Sequence, residues 1–157
     1  MEQIKLFNNT VCKVQNLDNG KYLVSDYMGE EFEVYEYELS DIPLSRELLE
    51  HLGFRFDKVD YKINGWECYR LTKVEKVYLS PSFFVEEEMY TPLIGYAITA
   101  DGEEKFSIFT RKSIDNRIGT CRVKNLNEFL YLCERLGCRV EVNFEKLNAF
   151  MLVQEVG

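Results

Sequence analysis

The sequence predicts an α+β protein, an antiparallel sheet with two short helices and an N-terminal β lobe of SH3-like type. Three observations carry this expectation. Short runs of alternating apolar and polar residues recur between turn dipeptides such as Asn19-Gly20, Asn64-Gly65 and Asp101-Gly102. One pattern is used twice: residues 48–57 read L-L-E-H-L-G-F-R-F-D and residues 132–141 read L-C-E-R-L-G-C-R-V-E, each a helix end, a glycine stop and a strand start. Finally, 46% hydrophobic and 14% aromatic residues suffice for a packed core and exclude disorder. A chain of 157 residues is expected to form a single compact domain, 1–157, with a sub-lobe boundary near residue 40.

The front reads as small antiparallel strands over residues 11–15, 21–28 and 31–39, the last two flanking Met28-Gly29. Phe32 and Val34 share one face of the third run, then Tyr35, Tyr37 and Leu39 share the other, and this change of phase predicts a bulge. Strands this short are the basis for the SH3-like expectation. Pro43 keeps the preceding residue extended. Ser45 then caps a helix with Glu47 in its first turn, buries Leu48, Leu49 and Leu52, and stops at Gly53.

Strands follow over 54–56 and 59–63, with a break at Asp57-Lys58, and over 66–72 after the Asn64-Gly65 turn. Residues 77–84 are less regular, with Pro81 at an edge or bend. Residues 94–109 form a hairpin about Asp101-Gly102. Residues 110–120 read as an exposed loop and 120–124 as a short strand. Asn125 and Glu128 have the spacing of a capping box for a second helix over 126–136, stopped by Gly137. Val140, Val142 and Phe144 alternate as a further strand, and 149–153 is a last strand or packed turn. The repeated pattern, 84 residues apart, fits either an internal duplication or convergence of helix–glycine–strand junctions on Leu-Gly.

Charge restricts the function classes. The net charge is −8, and residues 1–60 hold six Lys or Arg against thirteen Asp or Glu. Counterion release needs clustered positive charge, so this balance disfavours general nucleic-acid binding. The exception is 105–124, where Lys105, Arg111, Lys112, Arg117, Arg122 and Lys124 face only Asp115. No run of about 18 apolar residues exists to span a membrane. The N-terminal residues show no basic segment leading into an apolar one, so a cytoplasmic location is expected.

Little in the sequence points to catalysis. His51 is the only histidine and lies on the first helix opposite the leucines, where a surface role is expected. No H-E-x-x-H, P-loop, G-x-G-x-x-G or G-x-S-x-G motif occurs. The five cysteines, Cys12, Cys68, Cys121, Cys133 and Cys138, lack any C-x-x-C spacing and read as reduced, mostly buried small hydrophobes. Glu86, Glu87 and Glu88 are conceivable as a carboxylate pair, with a solvated loop or edge strand as the plainer reading. Accordingly no catalytic residue, no cofactor and no metal are assigned.

Binding residues are more readily named. Glu31, Glu33, Tyr35 and Tyr37 form an acidic, aromatic front suited to a basic partner surface. Trp66 follows an Asn-Gly turn, either as a partner anchor or packed beside Phe54 or Tyr61. Arg111, Lys112 and Arg117 are candidates for anion or nucleic-acid contact.

Two segments carry a resemblance. Residues 41–54, D-I-P-L-S-R-E-L-L-E-H-L-G-F, resemble the P-I-P-L-T-E-E-L-L-x-K-L-G-F segment of an uncharacterised family of small proteins found in gut anaerobic bacteria and their prophages and conjugative elements. Residues 123–132, V-K-N-L-N-E-F-L-Y-L, are similar to that family's V-H-x-L-Q-N-L-Y-F-x-L-T-G segment, with Lys124 at its histidine position and Arg135-Leu136-Gly137 where it has Thr-Gly. Together the motifs cover about a fifth of the chain, and residues 73–110 have no counterpart. The resemblance implies an accessory protein of a mobile element, cytoplasmic and dispensable for growth, and implies no activity. The expected function is therefore non-enzymatic, by protein–protein interaction with an unknown partner. The alternative is a nucleic-acid-associated factor using 105–124. Oligomeric state is left open.

Overall fold

The computed structural model describes residues 3–63, 65–90, 93–98, 100–109, 121–135 and 140–156. The chain divides into two compact units, one of Met1–Pro43, Asn125–Glu134 and Arg139–Gly157, the other of Leu44–Lys124 and Arg135–Cys138. The α+β class holds, with antiparallel sheets and helices.

The first unit holds β1 (Gln3–Phe7), β2 (Thr10–Asn16), β3 (Lys21–Ser25), β4 (Glu31–Tyr35) and β5 (Leu39–Ser40), all antiparallel in the order β4-β3-β2-β1-β5. Its turns explain the register. Asn8 and Asn9 take φ of 47° and 63°, the two-residue turn whose twist matches a hairpin. This makes β1 a strand that the apolar pattern alone had not shown. After β3 the Asp26 carboxylate accepts the N–H of Met28 at 2.9 Å and of Glu30 at 3.0 Å, and Gly29 at φ 84° completes the reversal.

The expected bulge within 31–39 is instead a helical turn. Glu36–Glu38 form a 3₁₀ turn, and the Glu38 Oε2 accepts the N–H of Tyr35 at 2.8 Å. Three residues per turn, rather than an inserted residue, change the phase between Val34 and Leu39. Cys12, Val14, Val24 and Val34 form a buried cluster, with Phe7, Tyr22, Phe32 and Leu39 packed against it.

Helices α2 (Leu126–Arg135) and α3 (Phe144–Val156) begin at asparagines. Asn125 Oδ1 accepts the Glu128 N–H at 2.9 Å, as the capping-box spacing predicts, and Asn143 Oδ1 accepts the Lys146 N–H at 3.0 Å. The alternation of Val140, Val142 and Phe144 does not make a strand: 140–143 carry no regular structure, and 144–156 are helical. Two residues of apparent β periodicity ran into a cap, and the asparagine decides. Phe144, Leu147, Asn148 and Met151 then recur at helical spacing. The second Leu-Gly pattern therefore does not lead into a strand as the first does, and Leu136 and Gly137 lie outside the described residues.

Both helices supply an asparagine to the sheet. Asn127 Oδ1 accepts the Ile4 N–H at 2.7 Å while its Nδ2 donates to the Ile4 carbonyl at 2.7 Å. Asn148 Oδ1 accepts the Val11 N–H at 2.6 Å, and its Nδ2 donates to the Val11 carbonyl at 3.4 Å. β5 pairs with β1 only at Leu6 and Phe7, and β3 pairs with β2 only from Lys13 onward. Ile4 and Val11 lie just beyond those neighbours. Each primary amide presents one acceptor and one donor in the pattern of the missing strand.

The second unit begins with α1 (Arg46–His51). Ser45 Oγ accepts the Leu48 N–H at 3.1 Å, Leu48 and Leu49 are buried, and Gly53 has φ 97°, as the sequence predicts. Lys73 Nζ donates to the Leu52 carbonyl at 2.8 Å, so a cation sits at the helix's negative end. Strands β6 (Phe54–Ile63), β7 (Trp66–Ser80), β8 (Phe83–Tyr90), β9 (Leu93–Ile98), β10 (Glu104–Phe109) and β11 (Cys121–Val123) form an antiparallel sheet in the order β11-β10-β9-β7-β6, with β8 also on β7. The expected break at Asp57-Lys58 is a register shift between Lys58 and Lys62 inside one strand. The 94–109 hairpin pairs Ile94 with Ile108 and Ile98 with Glu104.

One face of this sheet is tied by an aromatic ladder. Phe56 meets Tyr69 edge-on at 5.9 Å, Tyr69 meets Tyr96 at 5.8 Å, and Tyr96 meets Phe106 at 5.2 Å, one ring from each of four strands. The Arg46 guanidinium of α1 lies over Phe56 at 5.0 Å and Tyr69 at 5.4 Å. Tyr96 donates its hydroxyl to Glu104 at 2.8 Å. Burial first, then that carboxylate, push its phenol up to about 12.

Two outcomes follow from these contacts. Asn148→Ala leaves the Val11 N–H and carbonyl without partners and is expected to lower stability by about 3 kcal/mol, read from urea denaturation. The Tyr96 phenol ordinarily ionises near 10, so the unfolded chain loses that proton first and stability falls as pH rises from about 10 towards 12. In Tyr96→Phe the alkaline loss is expected to be shallower, measured as denaturation midpoint against pH.

Candidate functional site

The named interaction residues fall in both units. Glu31, Glu33 and Tyr35 alternate along β4 on the face opposite Phe32 and Val34. β4 is an edge strand of the first sheet, and carboxylates on an edge discourage indiscriminate strand pairing. Tyr37 lies in the 3₁₀ turn and stacks on Tyr35, ring centroids 5.6 Å apart and planes within 7°. Tyr35 is 49% exposed and Tyr37 83% exposed. Glu31, Glu33, Glu36 and Glu38 are exposed around them. The 3₁₀ turn brings Tyr37 onto Tyr35, because a strand would have carried it two residues further along the edge.

The ring face already receives a cation. Lys21, the β3 partner of Tyr35, holds its ammonium 5.6 Å from the Tyr35 centroid. Reasoning from sequence had not singled out Lys21, although the Asn19-Gly20 turn immediately before it pointed to its position.

Trp66 belongs to the second unit. It opens β7 opposite Ile63 and is half-buried, apart in sequence and unit from the tyrosine pair. Arg111, Lys112 and Arg117 lie outside the described residues. Of the same basic segment, Lys105 and Arg122 are exposed and share one side of the β10–β11 pair, where Ser107 stands opposite Arg122. Glu86 and Glu88 lie on β8, with Lys76 and Val74 as their backbone partners.

Chemistry elsewhere is sparse. A depression of about 370 Å³ in the second unit is lined by Arg55, Asp57, Lys58, Asp60, Tyr61 and Arg70 among others. Of its charges, Arg55 pairs with Asp57 at 3.1 Å and Lys58 with Glu67, outside the lining, at 3.4 Å. Lys58, then the Tyr69 hydroxyl, hold the Glu67 carboxyl below its usual range. Cys12 is buried and its thiol is pushed up by burial, then by Asp26, which disfavours the reactive thiolate. Among the described residues no three metal-ligating side chains come together, and no helix is long and apolar enough to cross a membrane.

No family model, curated protein or solved structure matches this chain. The tyrosine pair and its carboxylates therefore stand on their geometry.

An exposed stacked pair that serves a partner rather than the core leaves stability nearly unchanged when removed. Tyr37→Ala is expected to shift stability by less than about 0.5 kcal/mol. Val34→Ala, on the opposite face of the same edge, is expected to cost about 2 kcal/mol. Thermal unfolding of both variants checks the contrast.

Proposed function

We propose that the first unit is a non-enzymatic interaction module that receives a Lys- or Arg-rich segment of a partner protein on Tyr35 and Tyr37. The observation that carries this reading is the exposed, stacked tyrosine pair ringed by carboxylates, with Lys21 already on one ring face. A cation is attracted by the ring quadrupole and by Glu31, Glu33 and Glu36 together, a combination that neither an acidic nor a purely apolar partner satisfies. The β4-β3-β2-β1-β5 order and the 3₁₀ turn between β4 and β5 support reading this unit as an SH3-like lobe. The resemblance of residues 41–54 supports an accessory role in a mobile element, in the cytoplasm.

A second reading, nucleic-acid contact through 105–124, is favoured by the exposed Lys105 and Arg122 on one side of β10–β11. It predicts that neutralising Arg111, Lys112 and Arg117 abolishes binding.

Titration with a short Lys- and Arg-rich peptide tests the first reading, followed by NMR of the tyrosine rings. Saturable shifts at Tyr35 and Tyr37 are expected, weakening as salt screens the carboxylates and vanishing in Tyr37→Ala and Glu33→Lys. No saturable shift, or binding indifferent to both substitutions, overturns it. Loss of a co-purifying partner on nuclease treatment transfers the proposal to 105–124.

A further inference from the structure

β7 outruns its sheet. β6 accompanies it only as far as Lys73, which faces Phe54, and β9 pairs with it only at Glu67–Arg70. Arg70 faces Leu93 and Lys73 faces Tyr90, three residues further along both strands, so β8 and β9 follow one edge of β7 in a single line. Beyond Lys73, among the described residues, β7 has β8 on that edge and no strand on the other. Residues 74–80 and 83–90 therefore extend as a two-stranded arm, roughly 23 Å long at strand rise. Pro81 and Ser82 form its turn.

The end of this arm is apolar and uncharged. Residues 77–85 read V-Y-L-S-P-S-F-F-V, nine residues without a charge in a chain of net charge −8. Tyr78 packs on Phe84 at 5.4 Å across the hairpin. Tyr78 is 61% exposed, Leu79 65% and Phe83 57%. An isolated two-stranded ribbon is only marginally stable in water, and an open apolar edge of this kind invites a further strand.

We propose that the arm is a dimerisation element, in which the free edge of β7 pairs antiparallel with the same edge of a second copy about a two-fold axis at Val77. Three arguments select a second copy. The first is register. Antiparallel self-pairing centred on Val77 sets Lys76 opposite Tyr78 and Glu75 opposite Leu79, so no like charges meet. The second is charge. Two copies of net charge −8 repel, and the uncharged tip, residues 77–85, is where they approach at least cost. The third is area. On the pairing strand itself, Tyr78 and Leu79 expose on the order of 250 Å² per copy. A two-fold interface uses these residues twice, and with the paired backbone it stays below about 1,000 Å², the size of a weak dimer whose population depends on concentration.

The test is the mass of the full chain in solution by analytical ultracentrifugation, across concentrations up to about 0.1 mM. A concentration-dependent dimer is expected. Val77→Glu sets two carboxylates against each other at the axis and is expected to raise the dimer dissociation constant about 100-fold or more. Val77→Lys does the same with ammonium groups, and mixing the two variants restores a one-to-one dimer. Circular dichroism shows that each variant is folded, and Val77→Cys is expected to give an intermolecular disulfide on mild oxidation. A strictly monomeric wild type overturns the proposal. So does a dimer that survives Val77→Glu, or variants that fail to recombine. A monomer whose arm is covered by a different protein also overturns it.

Discussion

A strand can end inside a protein only if its backbone N–H and carbonyl groups are met. On the edge away from the β1–β2 pairing neither Ile4 nor Val11 has a strand beside it, and each is met there by an asparagine on a helix. A side-chain amide has the donor and acceptor of a peptide group, so Asn127 and Asn148 extend the sheet without extending the strands. Much else in the first unit follows. α2 and α3 are fixed to the sheet by directional bonds as well as by the burial of Leu126, Phe129 and Leu147. Hydrophobic burial alone tolerates a sliding helix, but a pair of opposed hydrogen bonds does not.

The second unit meets the same constraint differently. Its sheet is saturated through most of its width, and its aromatic ladder runs from β6 to β10 through rings whose edges meet their neighbours. Where β7 and β8 leave the sheet, no asparagine takes over among the described residues. The tip there, residues 77–85, exposes apolar side chains, whereas the free edge of β4 carries carboxylates. Charge on an edge repels an unsolicited strand, and its lack leaves the edge open to one. These two edges are thus chemically opposite.

Much of this was legible in the sequence, for identifiable reasons. Ser45, Gly53, Asn125 and the Asp101-Gly102 turn each act through local backbone chemistry, which a linear reading sees directly. β1 was missed because its turn is Asn-Asn, a left-handed pair without glycine. α3 was missed because Val140, Val142 and Phe144 imitate a strand until Asn143 starts the helix. The site was half legible. Alternation placed Glu31, Glu33 and Tyr35 on one face, but the stacking of Tyr37 depends on a 3₁₀ turn that periodicity reads as a bulge. The arm was hidden because pairing partners are non-local: 77–84 looked irregular, and only the end of β6 at Phe54 shows that, among the described residues, no strand accompanies it on that side.

The bonds between Val11 and Asn148 span 137 positions of the chain. On a ribosome adding roughly 5–20 residues per second, the β2 edge waits on the order of ten seconds for the amide that completes it. During that interval the sheet of the first unit is synthesised but unsealed, and its bare backbone is open to whatever strand is nearest, including one on a neighbouring nascent chain. The second unit, whose residues run without interruption from Leu44 to Lys124 apart from a four-residue return, can close before the first does. The order of synthesis therefore runs against the order of completion, and the earliest residues of the fold are among the last to be secured.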